Sequence, residues 1–207
     1  MNRNKKKQRI LLTGGEGFIG KNLLEQLGDK YDFLAPTRQE LELTKTADVY
    51  SYLKQGKVDL IIHAASIGGS RNKLDSTDVS YLNLLAFFNL INAKKYFKRM
   101  LVLGSGAEYD KSRPIVMASE EEANTRIPID QYGFSKYVLS KFAGKSDYIT
   151  HLRLFGVFGK YEDFQIRFIS NAICSALLSK KIILNKNVIF DYIYVKDLIN
   201  IIDLFIE

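Results

Sequence analysis

The sequence predicts an α/β fold in which helices wind on both sides of a parallel sheet. Along the 207 residues, short apolar runs of strand length alternate with longer segments whose apolar side chains recur at helical spacing. The first apolar run, Ile10-Leu11-Leu12, leads through a glycine-rich turn directly into the first helical segment. Because parallel strands need crossover connections, this alternation favours a doubly wound parallel sheet covered on both faces.

The glycine-rich turn is Thr13-Gly14-Gly15-Glu16-Gly17-Phe18-Ile19-Gly20. Gly14 permits the tight turn, Gly17 lets the backbone approach a pyrophosphate, and Gly20 lets the helix pack closely on the strand. The N–H groups and the dipole of the helix N-terminus favour a bound phosphate. Between a strand and a helix, the motif predicts a dinucleotide site of the Rossmann type, and a glycine-rich turn without a ligand is the alternative.

The later elements are placed by their apolar pattern and by their flanking residues. Gly28 ends the first helix, and a short second strand is expected over 31–35. Further helices are expected over 47–55, 76–96, from 132 onward, over 164–178 and over 197–206. Further strands are expected over 58–65, 99–103, 149–155 and 188–195.

Composition describes an ordinary globular protein with an excess of basic residues. Hydrophobic residues make up 46% of the chain and charged residues 26%, and the formal net charge is +7. The single cysteine, Cys174, excludes an internal disulfide and suits a reducing compartment, so we expect a cytoplasmic protein. No apolar stretch reaches the length of a membrane span, and the positive charge suits a phosphate-bearing ligand. We assign no membrane partner and no metal.

The first nine residues form a separate basic segment. They include Arg3, Lys5, Lys6, Lys7 and Arg9, and they lack the apolar stretch of a signal peptide. Such a run predicts a solvated, disordered tail over residues 1–9. Because no aromatic residues interleave with the cations and no reading helix is evident, we assign no nucleic-acid partner.

Two cations bear on the choice between the two nicotinamide dinucleotides. A site for NAD often has Asp or Glu near the end of the second strand, where it binds the ribose hydroxyls. This chain has Pro36-Thr37-Arg38 there, and Lys21 lies at the start of the first helix. Convergence of Arg38 and Lys21 would suit the 2′-phosphate of NADP, so we expect NADP, with NAD as the alternative. Ordinary surface positions are the other interpretation of both cations.

Small residues follow the third strand. Ala64 and Ala65 leave room for a cofactor to pass close to the backbone at the carboxyl end of this strand. His63 is interpreted as a packed histidine at the strand end rather than as a catalytic one.

Tyr132 and Lys136 carry the predicted chemistry. They are four residues apart and therefore lie one turn apart on the same face of a helix. A tyrosine has an unperturbed pKa of about 10, and a nearby lysine cation is expected to lower that value. Ser105, beyond the fourth strand, can hydrogen-bond a substrate oxygen. The three residues predict a site that moves one proton while a cofactor moves one hydride.

The ordered set of turns and the tyrosine helix resembles the extended short-chain dehydrogenase/reductase family, whose members mostly act on nucleotide sugars. Thr13 followed by Gly-x-x-Gly-x-x-Gly has the spacing of that family. The stretches Thr37-Arg38-Gln39-Glu40-Leu41-Glu42-Leu43 and His63-Ala64-Ala65-Ser66-Ile67-Gly68-Gly69 resemble GDP-fucose synthases, and the first also resembles dTDP-4-dehydrorhamnose reductases. These enzymes use NADPH. The resemblance also implies that Asn83 braces Lys136 through a water molecule, so Asn83 joins the expected cofactor site.

The residues after Ser105 narrow the reaction that the resemblance implies. Sugar-nucleotide 4,6-dehydratases have an Asp-Glu pair there, and GDP-fucose synthases have a cysteine two residues after the serine. This chain has Gly106 and Ala107, so it lacks the groups for dehydration and for that epimerisation. Three hypotheses remain: an NADP(H)-dependent reductase of a nucleotide-linked 4-keto sugar, an NAD-retaining nucleotide-sugar 4-epimerase, and a truncated, non-catalytic cofactor-binding module.

The resemblance also implies a division of the chain. A dinucleotide-binding domain is expected over 10–160 and a small, incomplete substrate-binding lobe over 161–207, because relatives continue beyond the stretch Phe190-Asp191-Tyr192-Ile193-Tyr194-Val195-Lys196-Asp197. Arg167 and Asn171 fall where relatives contact the nucleotide diphosphate. Relatives commonly dimerise through the helix over 76–96 and the tyrosine helix, so a homodimer is expected.

Overall fold

The computed structural model describes residues 7–70, 74–112, 114–123, 125–184 and 186–207. Most of the predicted basic tail, residues 1–6, lies outside these ranges. Arg9, which the sequence places in the tail, is instead the first residue of a strand. Its Nε lies 2.7 Å from Oδ2 of Asp32 on the neighbouring strand, so this cation is tied to the sheet.

Five parallel strands form the main sheet in the order β2-β1-β3-β4-β5. The strands are β1 Arg9–Thr13, β2 Asp32–Leu34, β3 Leu60–His63, β4 Arg99–Leu103 and β5 Ile149–Leu152. The strand order reverses between β1 and β3, which makes the sheet doubly wound. The predicted fold class is therefore confirmed.

In the described part of the chain, six α-helices accompany the sheet. They are α1 Phe18–Leu27, α2 Thr46–Gly56, α3 Val79–Asn92, α4 Gln131–Ala143, α5 Phe168–Leu177 and α6 Val195–Ile206. In the described ranges, none of them has the length and the apolar composition needed to cross a membrane.

The two faces of the sheet have separate hydrophobic cores because successive strand residues point to opposite sides. Leu11 of β1 packs in the core formed with α2, α3 and α4. Its neighbours Ile10 and Leu12 pack in the other core, with α1 and α6. All three side chains are fully buried, which explains why β1 reads as a continuous apolar run.

The region after β5 differs most from the expected elements. The predicted strand over 149–155 ends at Leu152, and a separate strand, β6 Gly156–Phe158, pairs in parallel with β7 Tyr192–Tyr194. A Cβ on Gly156 would lie 2.6 Å from a ring atom of Tyr192, so the glycine permits this close pairing. The long helix predicted over 76–96 likewise ends at Asn92, and a short 3-10 turn follows over Lys94–Tyr96.

Helix α6 belongs to the packing of the main sheet, although the sequence assigns it to the 161–207 unit. Val195, Leu198, Ile199, Ile202 and Ile206 are buried in the same core as β1 and α1. The C-terminal segment therefore completes one helical layer of the dinucleotide-binding architecture. The division into 10–160 and 161–207 stays a prediction.

Candidate active site

The candidate site lies at the carboxyl ends of β1, β3 and β4, at the point where the strand order reverses. In open α/β sheets this position binds ligands because the connections leaving the two neighbouring strands diverge to opposite faces. Two cavities lie there. One, which we call the turn cavity, has a volume of about 210 Å³ and borders the glycine turn. The other, which we call the tyrosine cavity, has a volume of about 240 Å³ and borders Tyr132.

The three fingerprint glycines have different surroundings. Gly14 has φ +76°, and a Cβ there would lie 2.7 Å from the backbone nitrogen of Ala65. A Cβ on Gly20 would lie 2.2 Å from the carbonyl oxygen of Gly14. Both positions are therefore closed to side chains by the protein's own backbone. A Cβ on Gly17 would meet only that same oxygen, at 3.2 Å, so this glycine borders open space.

The first turn of α1 presents backbone N–H groups beside this open space. Gly17 is the N-cap, and no side chain caps the helix. Helix N-termini with available N–H groups and a positive dipole end bind anions. Phe18 and Ile19, the first residues of α1, line the tyrosine cavity, whereas Gly14, Gly15 and Glu16 of the preceding turn line the turn cavity.

Arg38 and Lys21 do not converge as the sequence analysis expected. Arg38 lines the turn cavity, and its Nε donates to Glu42 Oε2 at 2.7 Å. This hydrogen bond is the main reason that the pKa of Glu42 falls to about 2. The Nζ of Lys21 instead lies 5.7 Å from the centre of the Tyr161 ring, and Lys21 is absent from the lining of the turn cavity. Of the two cations, only Arg38 lines the cavity.

The segment after β3 lies between the two cavities. Ala64 lines the tyrosine cavity, Ala65 lines the turn cavity, and Ser66 lines both. Asn83 of α3 holds this segment: its side chain accepts from Ile67 N–H and donates to Ile67 O, both at 2.9 Å. Asn83 is therefore a buried residue that anchors the segment after β3.

His63 is a packed histidine, as predicted. Its Nδ1 lies 2.8 Å from the hydroxyl of Thr13 on the adjacent strand, and the ring is buried. Burial, aided by the charge of Lys136, lowers the pKa of His63 to about 3, so the imidazole is neutral. Thr13 Oγ1 also accepts from the N–H of Ala65 at 3.3 Å, which ties the glycine turn to the segment after β3.

Ser105, Tyr132 and Lys136 are brought together, and all three line the tyrosine cavity. Ser105 lies just beyond β4, while Tyr132 and Lys136 lie in the first two turns of α4. The side chain of Asp130 caps α4 by accepting from the N–H of Gly133 at 2.8 Å, which fixes where this helix begins.

The electrostatics of Tyr132 differ from the expectation that Lys136 lowers its pKa. Burial dominates and raises the pKa of Tyr132, although hydrogen bonds with Ser105 and Ser66 act in the opposite direction. Lys136 Nζ donates to Leu103 O at 2.9 Å and lies 5.6 Å from the centre of the Tyr132 ring. Burial also lowers the pKa of Lys136 to about 8. Because desolvation disfavours the phenolate, the structure keeps Tyr132 as a neutral phenol.

Two functional candidates were missed by sequence reasoning. Ser66 lies in the stretch after β3 that carries the family resemblance, but the sequence assigned it no role, because only the fold shows its hydrogen bond with Tyr132. Glu108 does have a signal: Ser105 and Glu108 have the Ser-x-x-Glu spacing of a capping box, and the structure contains both of its hydrogen bonds.

The two predicted substrate residues are placed differently. Arg167 lines the tyrosine cavity, where its positive charge is near enough to favour the Tyr132 phenolate, although burial outweighs it. Asn171 is exposed on α5 and is absent from the lining of both cavities. The structure thus joins Arg167, but not Asn171, to the catalytic candidates.

The chain belongs to the NAD dependent epimerase/dehydratase family, whose model matches residues 10–207. The predicted relationship to extended short-chain dehydrogenases/reductases is therefore confirmed. The sequence is 30% identical over 174 residues to GDP-L-colitose synthase of Yersinia pseudotuberculosis, covering 75% of this chain and 55% of that protein. It is 31% identical over 146 residues to GDP-L-fucose synthase of Escherichia coli K12, covering 67% of this chain and 44% of that protein. The chain thus spans about half the length of these relatives.

The fold is shared with solved structures of lower sequence identity. GDP-mannoheptose C4 reductase from Campylobacter jejuni, solved with NADP bound, superposes with a TM-score of 0.82. The match covers 97% of this chain and 73% of the reductase at 20% identity. This similarity supports the arrangement of strands and helices described above.

Proposed function

We propose that the protein is an NADP(H)-dependent reductase of a nucleotide-linked 4-keto sugar, with Tyr132 as the acid/base residue. The observation that carries the proposal is the meeting of Ser105, Tyr132 and Lys136 in one cavity beside the glycine turn. The relatives add support, since they are named as a GDP-L-colitose synthase and a GDP-L-fucose synthase.

The residues at the switch point fit a nicotinamide dinucleotide. Gly17 borders the open space at the N-terminus of α1, where a pyrophosphate would accept backbone hydrogen bonds. Arg38 lines the turn cavity and would bind a 2′-phosphate, and Ala65 would let the dinucleotide pass close to the backbone. Lys136 would bind the nicotinamide ribose. When bound, NADPH would supply the hydride that reduces a carbonyl carbon.

Tyr132 would supply the proton. Reduction of a carbonyl needs a donor that carries its proton when the substrate arrives, and the raised pKa of Tyr132, caused chiefly by burial, provides that state. Ser105 would donate a hydrogen bond to the same carbonyl oxygen and hold it near the phenol. The cation of Lys136, one helical turn away, would stabilise the phenolate left after proton transfer.

The sugar-nucleotide class is supported by the cation in the tyrosine cavity. Arg167 lies at the N-cap of α5 and lines this cavity, so it is placed for a phosphate group of the substrate. Asn171 follows one turn later but lies outside the lining of both cavities, so its proposed contact with substrate is supported by the family resemblance. The segment 161–207 would supply this part of the substrate site.

The turn after β4 supports reduction over dehydration. Gly106 and Ala107 carry no acid or base, and the carboxylate that follows them, Glu108, is fully buried. Arg153 Nε donates to Glu108 Oε2 at 2.9 Å, and Glu108 lines neither cavity. The turn therefore offers a substrate Ser105 beside Tyr132, without an acid/base pair of its own. A carboxylate from another segment, Glu162, also lines the tyrosine cavity, where it accepts a hydrogen bond from the hydroxyl of Ser170.

The proposal extends to assembly and location. Tyr81 on α3 and Phe134 on α4 have exposed fractions of 64% and 37%, and these helices would form a homodimer interface. The single cysteine, Cys174, suits a reducing cytoplasm. Sedimentation velocity at several protein concentrations would measure the oligomeric state.

The test compares Tyr132→Phe with wild type in a panel of GDP- and dTDP-linked 4-keto sugars. We expect NADPH affinity within twofold of wild type and turnover lower by about 10²-fold or more, the range for lost general acid catalysis. Tyr137→Phe, on the same helix, is the matched control and should keep wild-type turnover. Near-normal turnover by Tyr132→Phe would refute the proposed proton donor.

Native mass spectrometry separates the reductase from the other two hypotheses. A purified protein that retains NAD would indicate the 4-epimerase. A protein that is isolated without cofactor and then takes up NADPH would support the reductase. Uptake of NADPH without conversion of any sugar in the panel would favour a non-catalytic cofactor-binding module.

A further inference from the structure

A buried carboxylate lies directly behind the Ser105 turn. Glu108 has an exposed fraction of 0%, although ionised side chains are rarely buried without compensation. Its Oε2 accepts from Arg153 Nε at 2.9 Å, and its Oε1 lies 2.9 Å from His151 Nε2. Both partners belong to the β5 end of the sheet and are themselves nearly buried, with side-chain exposures of 12% and 10%.

The same carboxylate holds the backbone of Ser105. Glu108 Oε1 accepts from the N–H of Ser105 at 2.9 Å, and Ser105 Oγ accepts from the N–H of Ala107 at 3.1 Å. The two hydrogen bonds form a capping box that fixes both the backbone and the side chain of Ser105. Because Ala107 occupies one lone pair of Oγ, the hydroxyl hydrogen stays available for a second partner.

The surrounding backbone leaves little freedom for this turn. Gly104 N–H donates to Leu152 O and Gly106 N–H donates to Leu154 O, both at 2.7 Å. Glu108 accepts from the N–H of Ser105 between them, so three successive amides are satisfied, two by backbone carbonyls at the β5 end and one by this carboxylate. A Cβ on Gly104 would lie 2.5 Å from Glu108 Oε1, which shows how closely the carboxylate packs under the turn.

We propose that Glu108 is a positioning residue for the reaction, which aims Ser105 at the carbonyl oxygen while Arg153 holds the carboxylate. This inference rests on the proposed function, because the position of Ser105 affects turnover only if its hydroxyl hydrogen-bonds a substrate oxygen. The charge of Glu108 has a second effect: it favours the protonated forms of Tyr132 and Lys136, whose pKa values are set mainly by burial. These are the forms that a proton donor and its supporting cation need.

A glutamine cannot replace this carboxylate fully. Glu108 accepts hydrogen bonds with both oxygens, from Ser105 on one side and Arg153 on the other. Glu108→Gln has nearly the same shape, but its amide turns an NH₂ donor toward one of these two donors. In either orientation the substitution removes the negative charge beside Arg153, and it sets the NH₂ group against the N–H of Ser105 or against Nε of Arg153.

The first experiment measures amide hydrogen exchange by NMR in the wild-type protein. The Ser105 amide should exchange as slowly as those of Gly104 and Gly106, although it donates to a side chain and not to a neighbouring strand. Exchange of Ser105 at least 100-fold faster than its neighbours would overturn the proposal. This measurement needs no substrate, so it decides the positioning contact whether or not the protein reduces a sugar.

The second experiment is a double-mutant cycle with Glu108→Gln and Ser105→Ala. In the wild-type background, Glu108→Gln should lower kcat about 10-fold and leave the NADPH dissociation constant within twofold. In the Ser105→Ala background, it should lower kcat by a clearly smaller factor, because the positioned group is already gone and only the charge effect on Tyr132 and Lys136 remains. Equal losses in both backgrounds would show a merely structural role and would overturn the proposal.

The controls keep a folding defect apart from a positioning defect. Glu207→Gln makes the same chemical change at an exposed ion pair with Lys30, and should leave kcat and melting temperature unchanged. If Glu108→Gln does not fold, Glu108→Leu/Arg153→Leu removes both buried charges together. This double variant should lose the slow exchange of Ser105, and slow exchange retained there would overturn the proposal.

Discussion

Gly17→Ala tests whether the open space at the start of α1 is the pyrophosphate site. Gly17 has φ −78° and ψ 175°, a conformation that alanine adopts without strain. A Cβ there would meet only the oxygen of Gly14, at 3.2 Å. The added methyl group therefore projects mainly into the space beside the helix N-terminus. The fold should tolerate it, whereas a pyrophosphate lying against the backbone should not.

The expected magnitudes differ for stability and for binding. Alanine is a poorer N-cap than glycine, so we expect a loss of about 1 kcal/mol or less in the free energy of unfolding. For a chain of this size that is a fall of about 2–4 °C in melting temperature. Loss of one hydrogen bond to a charged phosphate costs about 1.5–3 kcal/mol, which corresponds to roughly 10- to 100-fold weaker NADPH binding.

Gly20→Ala is the matched control, because its methyl group would meet protein and not ligand. The Cβ would lie 2.2 Å from Gly14 O and 2.7 Å from the Cα of Gly15. We therefore expect this overpacking to lower the free energy of unfolding by about 3 kcal/mol or more. Thermal unfolding and fluorescence titration with NADPH measure both quantities in both variants. If Gly17→Ala bound NADPH as tightly as wild type, the pyrophosphate would not lie at this turn.

Two further predictions concern charge. Arg38→Ala should weaken NADPH binding about 10-fold and leave NADH binding unchanged, since the cation that lines the turn cavity is lost; equal losses for both cofactors would contradict this. Because the pKa of His63 falls from 6.5 to about 3 on folding, chiefly through burial, the unfolded chain binds the extra proton and stability should drop as pH falls through this window. Denaturant titration from pH 7 to 4 should show that wild type loses more unfolding free energy than His63→Gln as pH falls. A difference between the two proteins that stays constant with pH would contradict a lowered pKa of His63.

The sequence predicted the parallel sheet well because its signals are local. Ile10, Leu11 and Leu12 are apolar in succession since a central parallel strand is buried on both faces, and the glycine turn marks the strand-to-helix junction. Strand β4 was predicted with its observed bounds, Arg99–Leu103. The sequence analysis also grouped Ser105, Tyr132 and Lys136 into one predicted site, and all three line the tyrosine cavity.

Long-range geometry accounts for the predictions that the structure corrected. Spacing placed Lys21 near the start of α1, but only the fold shows that its Nζ turns toward Tyr161. The pairing of β6 with β7 joins residues far apart in the chain. The predicted strand over 188–195 contains β7, but the three residues of β6 were not predicted as a separate strand. The direction of the Tyr132 pKa depends on the depth of burial, which a sequence does not contain.

The segment after β3 couples the two halves of the proposed site. Ala64 lines the tyrosine cavity, Ala65 lines the turn cavity and Ser66 lines both, so the proposed dinucleotide would pass along this segment on its way to Tyr132. Asn83 bonds both backbone groups of Ile67 and also reaches the hydroxyl of Ser135 on α4 at 3.3 Å. Ser135 in turn donates to Tyr132 O at 2.7 Å. A chain of hydrogen bonds therefore joins the segment after β3, beside the proposed cofactor site, to the backbone of the proposed proton donor. In the proposed reaction, hydride and proton must arrive at neighbouring atoms of one carbonyl. These hydrogen bonds would hold the segment that the cofactor passes in a fixed position relative to Tyr132.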